Sequence, residues 1–189
     1  MLENRSRRPV LAVVGSAGPL PDDVTAEAEL LGKLAIDAGF RIASGGRDGV
    51  MEAVSRGARH SDKYREGDVM ALLPSYRHSD ANDYVDIAVV TGSGVSRNVM
   101  LVATGDVVVA VRGGSGTLSE ISLAWQLGRP IVALASTGGW AEKLAGTALD
   151  ARRDDVIVRA NDPAQAIAAA KLLLSQAPGV DLAAALDPA

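Results

Sequence analysis

The sequence predicts an α/β fold, with a doubly wound, mostly parallel sheet held between two helical layers as a three-layer sandwich. Three observations point to it. Short apolar runs alternate with longer segments of helical period along the chain. Most runs are apolar throughout rather than at alternate positions, so both faces of the strands must be covered. The glycine-rich breaks follow the ends of predicted strands, which in such a fold gathers them on one rim, where ligands bind.

Strands are predicted at 9–15 (PVLAVVG), 40–44 (FRIAS), 68–73 (DVMALL), 85–90 (VDIAVV), 106–111 (DVVVAV), 130–134 (PIVAL) and 155–158 (DVIV). The run at 106–111 is the richest in β-branched residues and should be the most buried. Between the strands, helices are predicted from Asp22 or Asp23 as N-cap to Ala38, with Gly39 closing the end. Further helices are expected at 50–58, 96–104, 118–126 and 140–144, and a last one opens at Asp162 or Pro163. All 189 residues are assigned to one domain, with 1–8 and 179–189 as loose tails.

Composition narrows the function. Net charge is −4 and aromatics are 3% of the chain, so neither a basic footprint nor a stacking platform for nucleic acid is present. No run is long and apolar enough for a membrane span. The chain has no cysteine, which excludes disulfides and thiolate chemistry and fits a cytoplasmic location. His60 and His78 are too far apart to suggest a metal site. An anionic ligand must therefore be met by local features.

The strongest such feature is Gly113-Gly114-Ser115-Gly116-Thr117, between the 106–111 strand and a helix. Glycines let the backbone approach an anion, helix-start amides point at it, and Ser115 and Thr117 add hydroxyl donors. Arg112, at the strand end, is placed to pair with phosphate. Glu120 has two readings: the N3 residue of a capping box with Thr117 as N-cap, which the residues alone favour, or a carboxylate held at the ligand site. A second cluster, Ser44-Gly45-Gly46-Arg47-Asp48-Gly49, also follows a strand and leads into a helix. A third runs from Thr91 to Asn98. Arg97 in the first turn of its helix opposes the helix dipole, a cost explained if it faces an anion. Gly15 and Ser16 open the first loop, where a nucleotide's base or ribose often lies.

These motifs resemble those of the LOG family, once called lysine-decarboxylase-like. Gly113 to Glu120 is similar to its Pro-Gly-Gly-x-Gly-Thr-x-x-Glu motif, Ser44 to Met51 to its upstream Gly-Gly-Gly-x-x-Gly-Leu-Met element, and Arg97 to the arginine of its Arg-Lys pair. The similarity runs from about Val10 to Leu134. It implies a Rossmann-like fold, a dimer or larger homo-oligomer such as a tetramer, and a phosphate-bearing small-molecule ligand. The family's plant-hormone-activating members hydrolyse the N-glycosidic bond of nucleoside 5′-monophosphates, which would make Arg97 and Glu120 a catalytic pair. Two positions depart from that pattern: Arg112 stands at the motif's proline and Asn98 at the lysine. Gly94-Val95-Ser96-Arg97-Asn98 resembles instead the branch containing molybdenum cofactor carrier proteins, which bind a metal-bearing pterin phosphate without transforming it. The ligand or phosphate set implied is Gly15, Ser16, Gly45, Gly46, Arg97, Asn98, Arg112 and Gly113 to Thr117. The resemblance implies no further required cofactor, with the molybdenum cofactor or a nucleoside monophosphate as the molecule to be held.

Overall fold

The computed structural model describes residues 7–151 and 153–176. Seven parallel strands form one sheet: β1 (Val10–Gly15), β2 (Arg41–Ser44), β3 (Val69–Leu73), β4 (Ile87–Val90), β5 (Val107–Val111), β6 (Ile131–Leu134) and β7 (Val158–Ala160). Their order is β4-β3-β2-β1-β5-β6-β7. The helices are α1 (Asp22–Asp37), α2 (Val50–Arg59), α3 (Arg97–Thr104), α4 (Ser115–Gln126), α5 (Gly139–Leu144) and α6 (Pro163–Gln176). The doubly wound, Rossmann-like α/β fold expected from the sequence is the one observed.

The uniformly apolar strands occupy the middle of the sheet because two cores sandwich them. On one face, Leu11, Val13 and Val109 pack with Leu31, Val54 and Ile167 of α1, α2 and α6. On the other, Ala12, Val14 and Val108 pack with Leu101, Ile121 and Ala141 of α3, α4 and α5. All five residues of β5 are fully buried, as expected of the most β-branched run. Each such valine contributes roughly 1.5–2 kcal/mol relative to leaving it in water. Helices α1 and α2 cross at two glycines. A Cβ on Gly32 would lie 2.0 Å from Val54 O, and one on Gly57 would lie 1.9 Å from Glu29 O.

Several boundaries differ from expectation. Neither Asp22 nor Asp23 caps α1: Pro21 holds the N-cap position, and both aspartates lie in the first turn, where their charge favourably complements the positive helix end. Asp162 does cap α6, its Oδ1 accepting from Gln165 N at 2.8 Å. Strand β7 lies later than 155–158. Fully buried Ile157 is captured by a loop, donating to Thr147 O at 2.9 Å and accepting from Gly146 N at 2.7 Å. Pairing with β6 therefore starts at Val158. Strand β4 is an edge strand, and Ile87 and Val89 are exposed rather than covered. Arg7 and Arg8 are tied down, Arg7 to Asp106 and Arg8 to Asp68, Gly39 O and Phe40 O. The expected tail at 179–189 lies outside the described residues.

Candidate functional site

The chain winds outward from β1 to β4, then returns to the other side of β1 as β5. The loops leaving β1 and β5 therefore diverge, and a crevice opens between them at the carboxyl edge. Gly15 and Val111, the last residues of the two strands, are partners in register. A cleft of about 640 Å³ sits there, within the usual range of ligand sites.

Four glycine-bearing strand-end loops line it, together with Pro74 at the end of β3. The first contributes Gly15, Ser16 and Ala17. Ser16 couples two others: its Oγ accepts from Gly113 N at 3.1 Å, and its carbonyl accepts from Val50 N at 3.0 Å. The fourth loop contributes Gly114, Ser115, Gly116 and Thr117. Here the capping box expected from the sequence is not formed. Helix α4 begins at Ser115 with Gly114 at the N-cap position, so Thr117 lies inside the helix and makes no cap. The reason is conformational: Arg112 (φ 55°) and Gly113 (φ 100°) both adopt left-handed backbone, which turns the chain early enough for the helix to start on the glycines. The first amide satisfied within α4 is that of Leu118, bound to Gly114 O at 3.0 Å. The three before it have no carbonyl one turn back and face the crevice end of the helix. No acidic residue lies in that first turn, so the positive end of the dipole is not offset.

The third loop contributes Gly94, Val95, Arg97 and Asn98. A 3₁₀ turn, Gly94–Ser96, leads into α3, and Arg97 is its first residue. Its guanidinium reaches Glu120 across the cleft, Nη1 to Oε1 at 3.0 Å, and both side chains are largely buried. Glu120 is thus an ion-pair partner rather than a cap. Burial pushes its carboxyl up to about 7, and the neighbouring Arg97 charge and hydrogen bond offset only part of that rise. Asn98 is 7% exposed; its carboxamide makes no side-chain hydrogen bond to another described residue and opens onto the cleft, since it is not among the buried unpartnered groups.

The remaining predicted residues are placed differently. Gly45 backs the site: a Cβ there would come 2.7 Å from Arg97 Nη2 and 2.6 Å from Met51 Sδ. Gly46 lies against Ala71. Arg112 turns to α5's side of the loop, its backbone N–H donating to Thr137 Oγ1 at 2.7 Å and its Nη1 to Thr137 O at 3.2 Å. It does not border the cleft, whereas exposed Arg47, which the sequence reading left unassigned, does. The signal for Arg47 was present: a basic residue inside a strand-end glycine cluster. Asp48 and Glu52 border a neighbouring hollow with Asp80 and Asn82, and Glu52 pairs with Arg56 at 3.2 Å. Among the described residues, no group of three or more His, Cys, Asp or Glu side chains is placed to hold a metal ion. No described helix is long and apolar enough to cross a membrane.

The sequence pattern of the SLOG cluster4 family matches residues 8–167. Among solved structures, the X-ray structure of TM1055 is 32% identical with a TM-score of 0.78, covering 87% of this chain and 99% of its own. The molybdenum cofactor carrier protein of Chlamydomonas reinhardtii is 34% identical with a TM-score of 0.76, covering 89% of this chain and all of its own. The molybdenum cofactor binding protein of the phototrophic bacterium Rippkaea orientalis is 29% identical with a TM-score of 0.72, covering 89% and 99%.

Proposed function

Because the chain belongs to the SLOG cluster4 family, and because its strand-end loops converge on one cleft, we propose that it binds a phosphate-bearing nucleotide or pterin, as a carrier of the molybdenum cofactor kind. The observation that carries the reading is the start of α4: free helix-start amides on Ser115 to Thr117, with no acidic residue in the first turn, opening into the crevice at the switch in strand order. The phosphate sits on those amides. Arg97, held by Glu120, and Arg47 supply positive charge in a chain that is acidic overall. The metal of such a ligand belongs to the cargo, and the likeness to the Chlamydomonas and Rippkaea proteins supports this choice.

One observation favours a second reading, a nucleoside 5′-monophosphate phosphoribohydrolase. Glu120 titrates near neutrality beside Arg97 inside the cleft, as a carboxylate for acid/base work at a glycosidic bond would. Incubation with AMP separates the two. The carrier reading expects no adenine or ribose 5-phosphate, with molybdopterin retained on purification. Adenine release that disappears in Glu120→Ala overturns it in favour of the hydrolase.

The reading includes a homo-oligomer. Ile87 and Val89 of β4 stand beside Met70 and Leu72 in register, on the face where α3 packs. Ile87 and Val89 are exposed, as are Val99 and Met100 of α3, and apolar side chains so exposed suit a second copy. Sedimentation at several concentrations tests it, and a monomer throughout overturns it.

A further inference from the structure

Among the described residues, Asn98 is the only side-chain amide that borders the cleft. It lies in the first turn of α3, directly after Arg97, and 7% of it is exposed. A carboxamide offers two N–H donors and an acceptor oxygen, and burying it without a partner is unfavourable. Asn98 avoids that cost only by opening onto the cleft: no side-chain or backbone group among the described residues takes either end, and its polar atoms are not among the buried unpartnered ones. The other polar side chains of the wall are of different kinds. Arg47 and Arg97 donate only, Glu120 when ionised accepts only, and the hydroxyls of Ser16, Ser115 and Thr117 each offer a single donor. A flat pair of one donor and one acceptor, side by side, is available from Asn98 at every pH; Glu120 offers one only when protonated, and its Oε1 already accepts from Arg97.

We infer that Asn98 is the specificity-determining residue of the cleft, reading a heterocycle that carries a hydrogen-bond donor and an acceptor on neighbouring atoms. The carboxamide oxygen accepts from the ring's N–H or amino group while its NH₂ donates to the adjacent ring carbonyl or nitrogen. The lactam edge shared by guanine and pterin has this pattern, and so has the amino edge of adenine. The inference rests on the proposed function, because it assumes that the ligand's phosphate occupies the start of α4. It adds what the phosphate cannot supply, a choice among rings attached to the same anion. Loss of such a two-point contact leaves the buried amide unpaired, so discrimination is large for a single residue.

The test is calorimetric titration of the full chain with GMP, AMP, 6-hydroxymethylpterin monophosphate and purine riboside 5′-monophosphate, with inorganic phosphate as competitor. The last nucleotide keeps the sugar and phosphate but lacks the paired donor. Wild type is expected to bind the best of the first three about tenfold or more tighter than purine riboside 5′-monophosphate. Which of the three binds best identifies the ring. In Asn98→Leu, and in Asn98→Ala should the leucine variant fold poorly, that ratio is expected to fall to near one. The ratio is taken within one preparation, so a partly folded sample does not distort it. A wild-type ratio near one, or a ratio that persists in both variants, overturns the inference while leaving the phosphate site standing. If neither the nucleotides, the pterin nor inorganic phosphate binds, the proposed function fails and the inference falls with it.

Discussion

Replacing Glu120 by glutamine keeps the shape of the side chain but removes a buried carboxyl that burial has moved from its ordinary 4.5 to about 7. A carboxyl raised on folding binds its proton more tightly in the native state than in the unfolded chain. Its contribution to stability is therefore fully present below about pH 4.5, is lost as pH rises through 7, and changes little beyond. At about 1.4 kcal/mol per pH unit, the wild type should lose on the order of 3 kcal/mol from this group across that window. Glu120→Gln has no proton to lose there. The stability difference between variant and wild type should thus shift by about 3 kcal/mol in favour of the variant between pH 4.5 and pH 8. Because only the change with pH matters, the fixed cost of altering the bond to Arg97 drops out. Urea denaturation at half-unit steps of pH measures it. Asp37, Asp80 and Asp106, all held below the ordinary carboxylate range, titrate alike in both proteins and cancel. A difference that stays constant from pH 4.5 to 8 would refute the reasoning.

Three further outcomes follow from the same structure. Arg97→Met removes the charge that offsets burial, so the Glu120 midpoint should rise above 7; infrared titration of the carboxyl band checks this, and an unchanged midpoint counts against the pairing. Gly32→Ala puts a methyl group 2.0 Å from Val54 O and should cost about 1–3 kcal/mol, read as a lower thermal midpoint. Arg112→Pro cannot adopt φ 55° and loses the N–H that donates to Thr137 Oγ1, so it should lower stability by at least about 2 kcal/mol in denaturant titration, whereas Arg112→Gly should lie within about 1 kcal/mol of wild type.

The last case shows why this chain departs from the proline of the motif it resembles. The residue at that position sits in left-handed backbone and must donate a hydrogen bond. Nothing local to Arg112-Gly113 announces either requirement, since both come from α5's loop packing beside β5. The capping box fails for a related reason. Thr117-Leu118-Ser119-Glu120 satisfies the local rule for a helix start, but the turn at Arg112 and Gly113 lets the helix begin at Ser115. That carries Thr117 into the first turn and Glu120 toward Arg97, from which 23 residues separate it. The strand at 155–158 misplaces β7 because an apolar run shows that burial will occur but not against which partner. Ile157 is buried by Thr147 and Gly146 rather than by the sheet. The glycine crossing of α1 and α2 left no periodic trace, because close approach is a property of two helices and neither carries it alone.

By itself the order of residues determined the alternation of strands and helices and the sites of the loops. Uniform apolarity over four to six residues is met by a sheet covered on both faces, as in β1, β5 and β6, and glycine clusters at strand ends leave the chain little else to do. It also determined that an anion, if bound, would be met by backbone and a few basic side chains in an acidic chain. Only the tertiary structure decided which of those groups share one cleft. The switch in strand order between β1 and β5 brings Ser16, Arg97, Asn98 and Glu120 around the start of α4. It turns Arg112 away and Arg47 in. It also buries Glu120 deeply enough to titrate near neutrality, and burial of that kind depends on packing between distant segments that no local pattern records.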